Sequence, residues 1–151
     1  MSLKAKIPLM CFLVITIFSI ALFSYTLYLV LEIRSAIKSL NVFISDVTAD
    51  ENAANFSLSF YNPSNMRLGI FFIRAWVEFN NASVGTKPKE FNFGNQLLDL
   101  PTNVQKDLMF TVDLDNSTSY TNGTWTLKMY TIFGTDLPQR TSANIVVKYG
   151  G

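Results

Sequence analysis

The strongest pattern in the chain is an unbroken apolar run from Ile7 to Leu31, IPLMCFLVITIFSIALFSYTLYLVL, with no charged residue. As a helix it would reach roughly 37 Å, more than the roughly 30 Å hydrocarbon core of a bilayer. Only a helix bonds all its own backbone N–H and C=O groups where no water is available. Ile33, Ile37 and Leu40 continue the helical spacing as a short amphipathic stalk, expected to pack under a domain or against a partner helix. From residue 41 the period changes from 3.6 to 2. Val42 and Ile44 share a face, as do Phe56, Leu58 and Phe60. Ile73, Ala75, Val77 and Phe79 form a third inward set, and Leu108, Phe110, Val112 and Leu114 a fourth. A short LLDL stops at Pro101, and WTLKMYTIFG and SANIVVKY supply the last two strands.

About seven strands in about 110 residues, set apart by Asn, Pro, Gly, Ser and Thr clusters, predict an all-β fold. The expectation is a seven-stranded antiparallel immunoglobulin/fibronectin-like sandwich preceded by one N-terminal transmembrane helix. The boundaries read as a cytoplasmic N-terminus at 1–6, a transmembrane helix at 7–31, a helical stalk at 32–40 and an extracytoplasmic β-sandwich at 41–151. The apolar run is too long for a usual signal-peptide core, and no small-x-small cleavage site follows it closely, so an uncleaved signal anchor is expected. Pro8 is expected in the first helical turn, where its missing donor costs little. Tyr25 and Tyr28 suit the far interface. Lys4 and Lys6 are balanced by Arg34 and Lys38, so charge barely decides orientation. The sequons described below place the C-terminal part outside the cytoplasm.

Composition removes much chemistry. The chain of 151 residues has no histidine, and its single cysteine, Cys11, lies inside the apolar run. Intrachain disulfides, Cys/His metal sites and Cys–His nucleophiles are therefore excluded. Net charge is +1, and beyond residue 40 eight Lys and Arg face ten Asp and Glu. No nucleic-acid partner is expected from that balance. No phosphate-cradling glycine loop, nucleophile elbow or metal signature occurs, so no catalytic residue, cofactor site or metal site is assigned, and the protein is not expected to be an enzyme. Asp113 and Asp115, with Asn116 nearby, fall short of the six to eight oxygens calcium takes. They read as a solvated strand face, and Asp50-Glu51 as an acidic loop.

Three stretches carry a resemblance: FSLSFYNPS at 56–64, GIFFIRAWVEFNNASVG at 69–85 and LLDLPTNVQKDLMFTVDL at 97–114, closed by TLKMYTIFGTDLP and NIVVKY. Together they resemble the late-embryogenesis-abundant type 2 family, the WHy domain, over residues 41 to 149. Ser64 and Asn80-Asn81 depart mildly from the family's pattern. The resemblance implies a seven-stranded sandwich associated with membrane surfaces and stress tolerance, without catalytic residues, and often anchored by one N-terminal helix. It names no ligand. The family's turn motif falls on Asn62 and Pro63. Both residues also have a sufficient local role, since Asn forms an Asx-turn and Pro presets φ.

Four N-x-Ser/Thr sequons make Asn55, Asn81, Asn116 and Asn122 candidate N-glycosylation acceptors, three of them at expected turns. Phe72 and Trp76 share the outer face of their strand. They form either a contact patch or a surface covered by a second sheet or the stalk, the commoner arrangement. The function expected is that of a membrane-anchored binding or structural module. It would serve as an accessory subunit of a membrane or envelope assembly, or as a stress-protective surface protein. Its partners would be the lipid bilayer and other membrane or envelope proteins, or itself. The alternative is a pilin-like subunit of an archaeal-type surface filament, for which Lys4-Ala5-Lys6 is a poor processing signal. A mature protein that retains Met1-Ser2-Leu3 rules that alternative out.

Overall fold

The computed structural model describes residues 3–94, 96–114, 120, 122–135 and 139–150. Among the described residues one helix, α1 (Leu3–Ser39), precedes eight strands. They are β1 (Asn41–Ala49), β2 (Ala53–Tyr61), β3 (Leu68–Phe79), β4 (Ala82–Asn92), β5 (Leu98–Leu100), β6 (Gln105–Asp113), β7 (Trp125–Gly134) and β8 (Arg140–Tyr149). The chain divides into two units after Glu32.

The first unit is helix alone. α1 begins at Leu3, ahead of the apolar run, so Pro8 lies inside it and not in its first turn as the sequence suggested. Lys4, Ala5 and Lys6 are good helix formers and extend the helix backwards at little cost. From Met10 to Leu31 nearly every large apolar side chain is exposed. Met10–Ser39 is the one helix among the described residues long and apolar enough to cross a membrane, with a mean hydropathy of 2.2 in its most apolar window.

The second unit contains the last turns of α1 and both sheets. Ile33 and Ala36 are buried, and Ile37 and Leu40 pack against the same core. The stalk's apolar stripe therefore serves the β-domain itself. Sheet A is β1-β2-β6, and sheet B runs β4-β3-β7-β8, with β5 pairing β3 beyond the end of β4. Every pairing is antiparallel. Alternation sets the inner faces: Phe56, Leu58 and Phe60 from β2, Ile73, Ala75, Val77 and Phe79 from β3, and Leu127, Met129 and Phe133 from β7 are all buried. The sheets meet through aromatic rings. Phe56 of sheet A stands edge-on to Trp125 of sheet B at 5.2 Å, and Phe110 meets Phe91 at 5.5 Å.

Among the described residues eight strands stand where seven were expected, and the addition is β4. Its sequence, ASVGTKPKEFN, carries a proline, a glycine and two lysines and hardly alternates. Those features suit an edge strand, which needs ladder bonds on one side only. The Asn80-Asn81 turn that closes the β3–β4 hairpin has positive φ at both residues, 50° and 66°, as a two-residue turn of the hairpin type requires. Bulges at Ser45 and Phe71 shift the register of β1 and β3 by one residue. After Ser45 the inward position moves to Val47, so the strand keeps an apolar face despite the extra residue.

Two buried side-chain oxygens, Thr131 Oγ1 and Gln139 Oε1, lack a partner among the described residues, and the first is the more deeply placed. Thr131 lies on the inner face of β7 with no exposure, and its hydroxyl finds no hydrogen-bond partner among the described residues. Thr131→Val keeps the shape and removes the unpaired oxygen, so it is expected to stabilise the domain by about 1 kcal/mol. A higher urea midpoint of the full chain in mild detergent checks this.

Candidate contact surfaces

Strand direction fixes two ends for the sandwich. Asn41, Tyr61 and Gln105 lie side by side at one end, where the chain enters from α1. Ala53 and Asp113 mark the other end, shared by the Asn80-Asn81 turn, which bonds Thr124 just before β7.

Asn62 occupies the entry end. It is fully buried, and its amide donates to the carbonyls of Met66 and Leu100, both at 2.9 Å. Its Oδ1 accepts from the Ser64 N–H and hydroxyl, at 3.1 and 2.7 Å, which forms the Asx-turn. Its own carbonyl accepts from the Asn103 N–H. The residue thus ties the β2–β3 loop to β5 and the β5–β6 turn. Pro63 beside it is exposed and sets only the local backbone.

Among the sequon asparagines, Asn81 and Asn122 are exposed at the far end, both with positive φ. Asn55 sits on the outer face of β2, the central strand of sheet A, and its Oδ1 accepts from the Thr111 hydroxyl at 2.7 Å. Asn116 lies outside the described residues, as does Asp115. No group of three acidic or Cys side chains able to hold a metal occurs among the described residues. Asp50 instead caps the β1–β2 hairpin. The Asn52 and Ala53 N–H groups, both at 2.8 Å, hold its carboxyl below the usual carboxylate range. Asp107 is lowered by bonds from the Ser59 hydroxyl and Gln105, and Asp99 by the Arg67 guanidinium. These shifts arise from structural bonds on the surface, and no two of these carboxylates act as a pair.

Phe72 and Trp76 do share the outer face of sheet B. Trp76 keeps 43% of its surface exposed, while Phe72 is half-buried with the Arg74 guanidinium 5.7 Å from its ring centre. The cross-strand neighbours of Trp76 include Lys128, beyond which Val146 is exposed. On this face Arg74 pairs with Glu90 and Lys128 with Glu78. No described element covers it. A groove of about 720 Å³ opens between the β4 and β6 edges, with Val77, Val84 and Val112 in its lining and Lys87, Lys89 and Asp113 among its polar groups. It lacks the convergent titratable set that chemistry would need. Besides Phe43 and Val104, each 42% exposed, sequence reasoning missed the two most exposed apolar side chains described in the β-domain, Met109 at 78% and Val146 at 59%. Alternation alone could have found Met109 and Val146, since each sits between two inward residues.

No protein-family model matches the chain, and no curated protein matches it. Its fold is similar to that of solved structures. A structural-genomics target designated SoR45 aligns with a TM-score of 0.50 at 10% identity, over 76% of this chain and 88% of that one. A protein from Archaeoglobus fulgidus gives 0.40 at 10% identity over 75% and 95%. A β-glucosidase from Kluyveromyces marxianus in complex with glucose gives 0.36 at 17% identity, and the match takes in 74% of this chain but 14% of the enzyme. At such identities the likeness concerns fold and not function.

Proposed function

We propose that the chain is a single-pass membrane-anchored β-sandwich protein with a binding or structural role and no catalysis of its own. It would act as an accessory subunit of a membrane or envelope assembly, or as a stress-protective surface protein. The observation that carries this reading is the apolar surface of α1, where Phe12, Phe18 and Phe23 are each exposed by more than half. Leaving one such side chain in water instead of apolar surroundings costs about 1.5–3 kcal/mol, and fourteen large apolar side chains of this helix are exposed among the described residues; lipid is the solvent that removes the cost. A detachable leader is disfavoured because the same unbroken helix supplies Ile33 and Ala36 to the β-core.

The strand orders β1-β2-β6 and β4-β3-β7-β8 fit an immunoglobulin/fibronectin-like outline with an added edge strand. They are also compatible with the resemblance to late-embryogenesis-abundant type 2 proteins. Exposed sequons at Asn81 and Asn122 favour an extracytoplasmic β-domain and a cytoplasmic N-terminus. The test is extraction of native membranes with alkaline carbonate. The full chain is expected to stay entirely in the membrane pellet, and release into the supernatant overturns the proposal.

A further inference from the structure

A sandwich has four sheet edges, and each must be covered or blunted if it is not to recruit another strand. β1 and β8 lie against each other, so each shields the other's edge. β1 also carries the Ser45 bulge. β4 is blunted by Pro88, by Gly85 at φ 80° and by the lysines at 87 and 89, and its register with β3 breaks between Ala75 and Val77. β6 comes near β4 and β5 of the other sheet, but a groove opens along its edge and no bulge or blunting residue interrupts it. It pairs with β2 without a bulge over nine residues, from Gln105 opposite Tyr61 to Asp113 opposite Ala53. It contains no proline or glycine. Among the described residues, no strand pairs with its other edge.

We propose that this edge pairs with the β6 edge of a second copy of the chain. An isologous antiparallel pair centred on Met109 uses the whole strand: Gln105 faces Asp113 of the other copy, Lys106 faces Val112, Asp107 faces Thr111 and Leu108 faces Phe110. No like charges meet. Centring the pair on Asp107 would set that carboxylate against its own copy, and centring it on Phe110 would set Asp107 against Asp113. Only the Met109 register both pairs all nine residues and keeps the acids apart. Met109 is also the most exposed large apolar side chain of the β-domain, at 78%, and here it meets its own copy on the two-fold axis. The result is one continuous six-stranded sheet.

Because the paired strands run in opposite directions, the two chains enter the joint sheet from opposite ends.

The test is disulfide trapping of the full chain in mild detergent, with Cys11→Ser removing the native thiol. Detergent leaves the pairing readable whether or not α1 anchors the protein, so failure here is separate from failure of the carbonate test. Met109→Cys is expected to give a reducible covalent dimer under mild oxidation. Val146→Cys, exposed on the other sheet, is expected to remain monomeric. Met109→Lys is expected to weaken the dimer roughly fivefold in sedimentation analysis, as one unfavourable cross-strand pair would. Equal trapping at both positions, none at Met109→Cys, or an association unmoved by Met109→Lys overturns the proposal.

Discussion

Asn62→Ala is expected to cost the β-domain about 4 kcal/mol, most of the stability of a marginal domain. The substitution removes two amide donors and leaves the Met66 and Leu100 carbonyls without them. It also deletes the acceptor that holds the Ser64 N–H and hydroxyl. A buried group stranded in this way loses its bond and gains no water in return. Asn62→Asp is expected to be at least as damaging, because it turns a carboxylate oxygen toward two carbonyl oxygens in a site with no exposure. Pro63→Ala, at the exposed neighbour, should cost under about 1 kcal/mol, chiefly through the freer unfolded chain. The measurement is urea unfolding of the full chain in mild detergent, followed by fluorescence of the buried Trp125. An Asn62→Ala protein that unfolds within about 1 kcal/mol of the original would show that the network contributes little to stability.

That contrast also locates the limit of what the sequence could say. The Asx-turn at Asn62 was legible, because it needs only the residue and its neighbours two positions on. The bond to Leu100 was not, since it joins positions 38 apart and depends on β5 lying beside β3. Strand faces were legible wherever one side meets the core, as in β2, β3 and β6, because burial forces alternation. β4 was hidden by the residues that protect an edge, which imitate a loop. The bulges at Ser45 and Phe71 left no mark, since one extra residue shifts the pattern without breaking it. Candidate contact residues were legible as outward positions, but which of them stay uncovered depends on the sheet order. Trp76 was placed on the right face, although the commoner expectation was a covered one.

The last turns of α1 set the second large effect. Ile33 is 2% exposed and belongs to the same core cluster as Phe56 and Phe133, so it counts as a residue of the β-domain although it sits on the helix. Truncation should be graded by the volume lost: about 1 kcal/mol for Ile33→Val and about 3 kcal/mol for Ile33→Ala. Ile33→Asp should exceed both, because a carboxylate there has neither water nor a cation among its core neighbours. Arg34, one position on, faces solvent, and Arg34→Ala should change stability by less than about 0.5 kcal/mol. Ile20, within the exposed apolar run, should be neutral toward urea unfolding of the β-domain when changed to alanine. The same Trp125 signal reads the whole series. If Ile33→Ala unfolds at the original urea concentration, these turns are a spacer and the helix and sandwich are separable pieces. If the grading holds, the last turns of α1 cannot be cut away without unpacking the domain, and α1 is both the apolar segment and part of the fold.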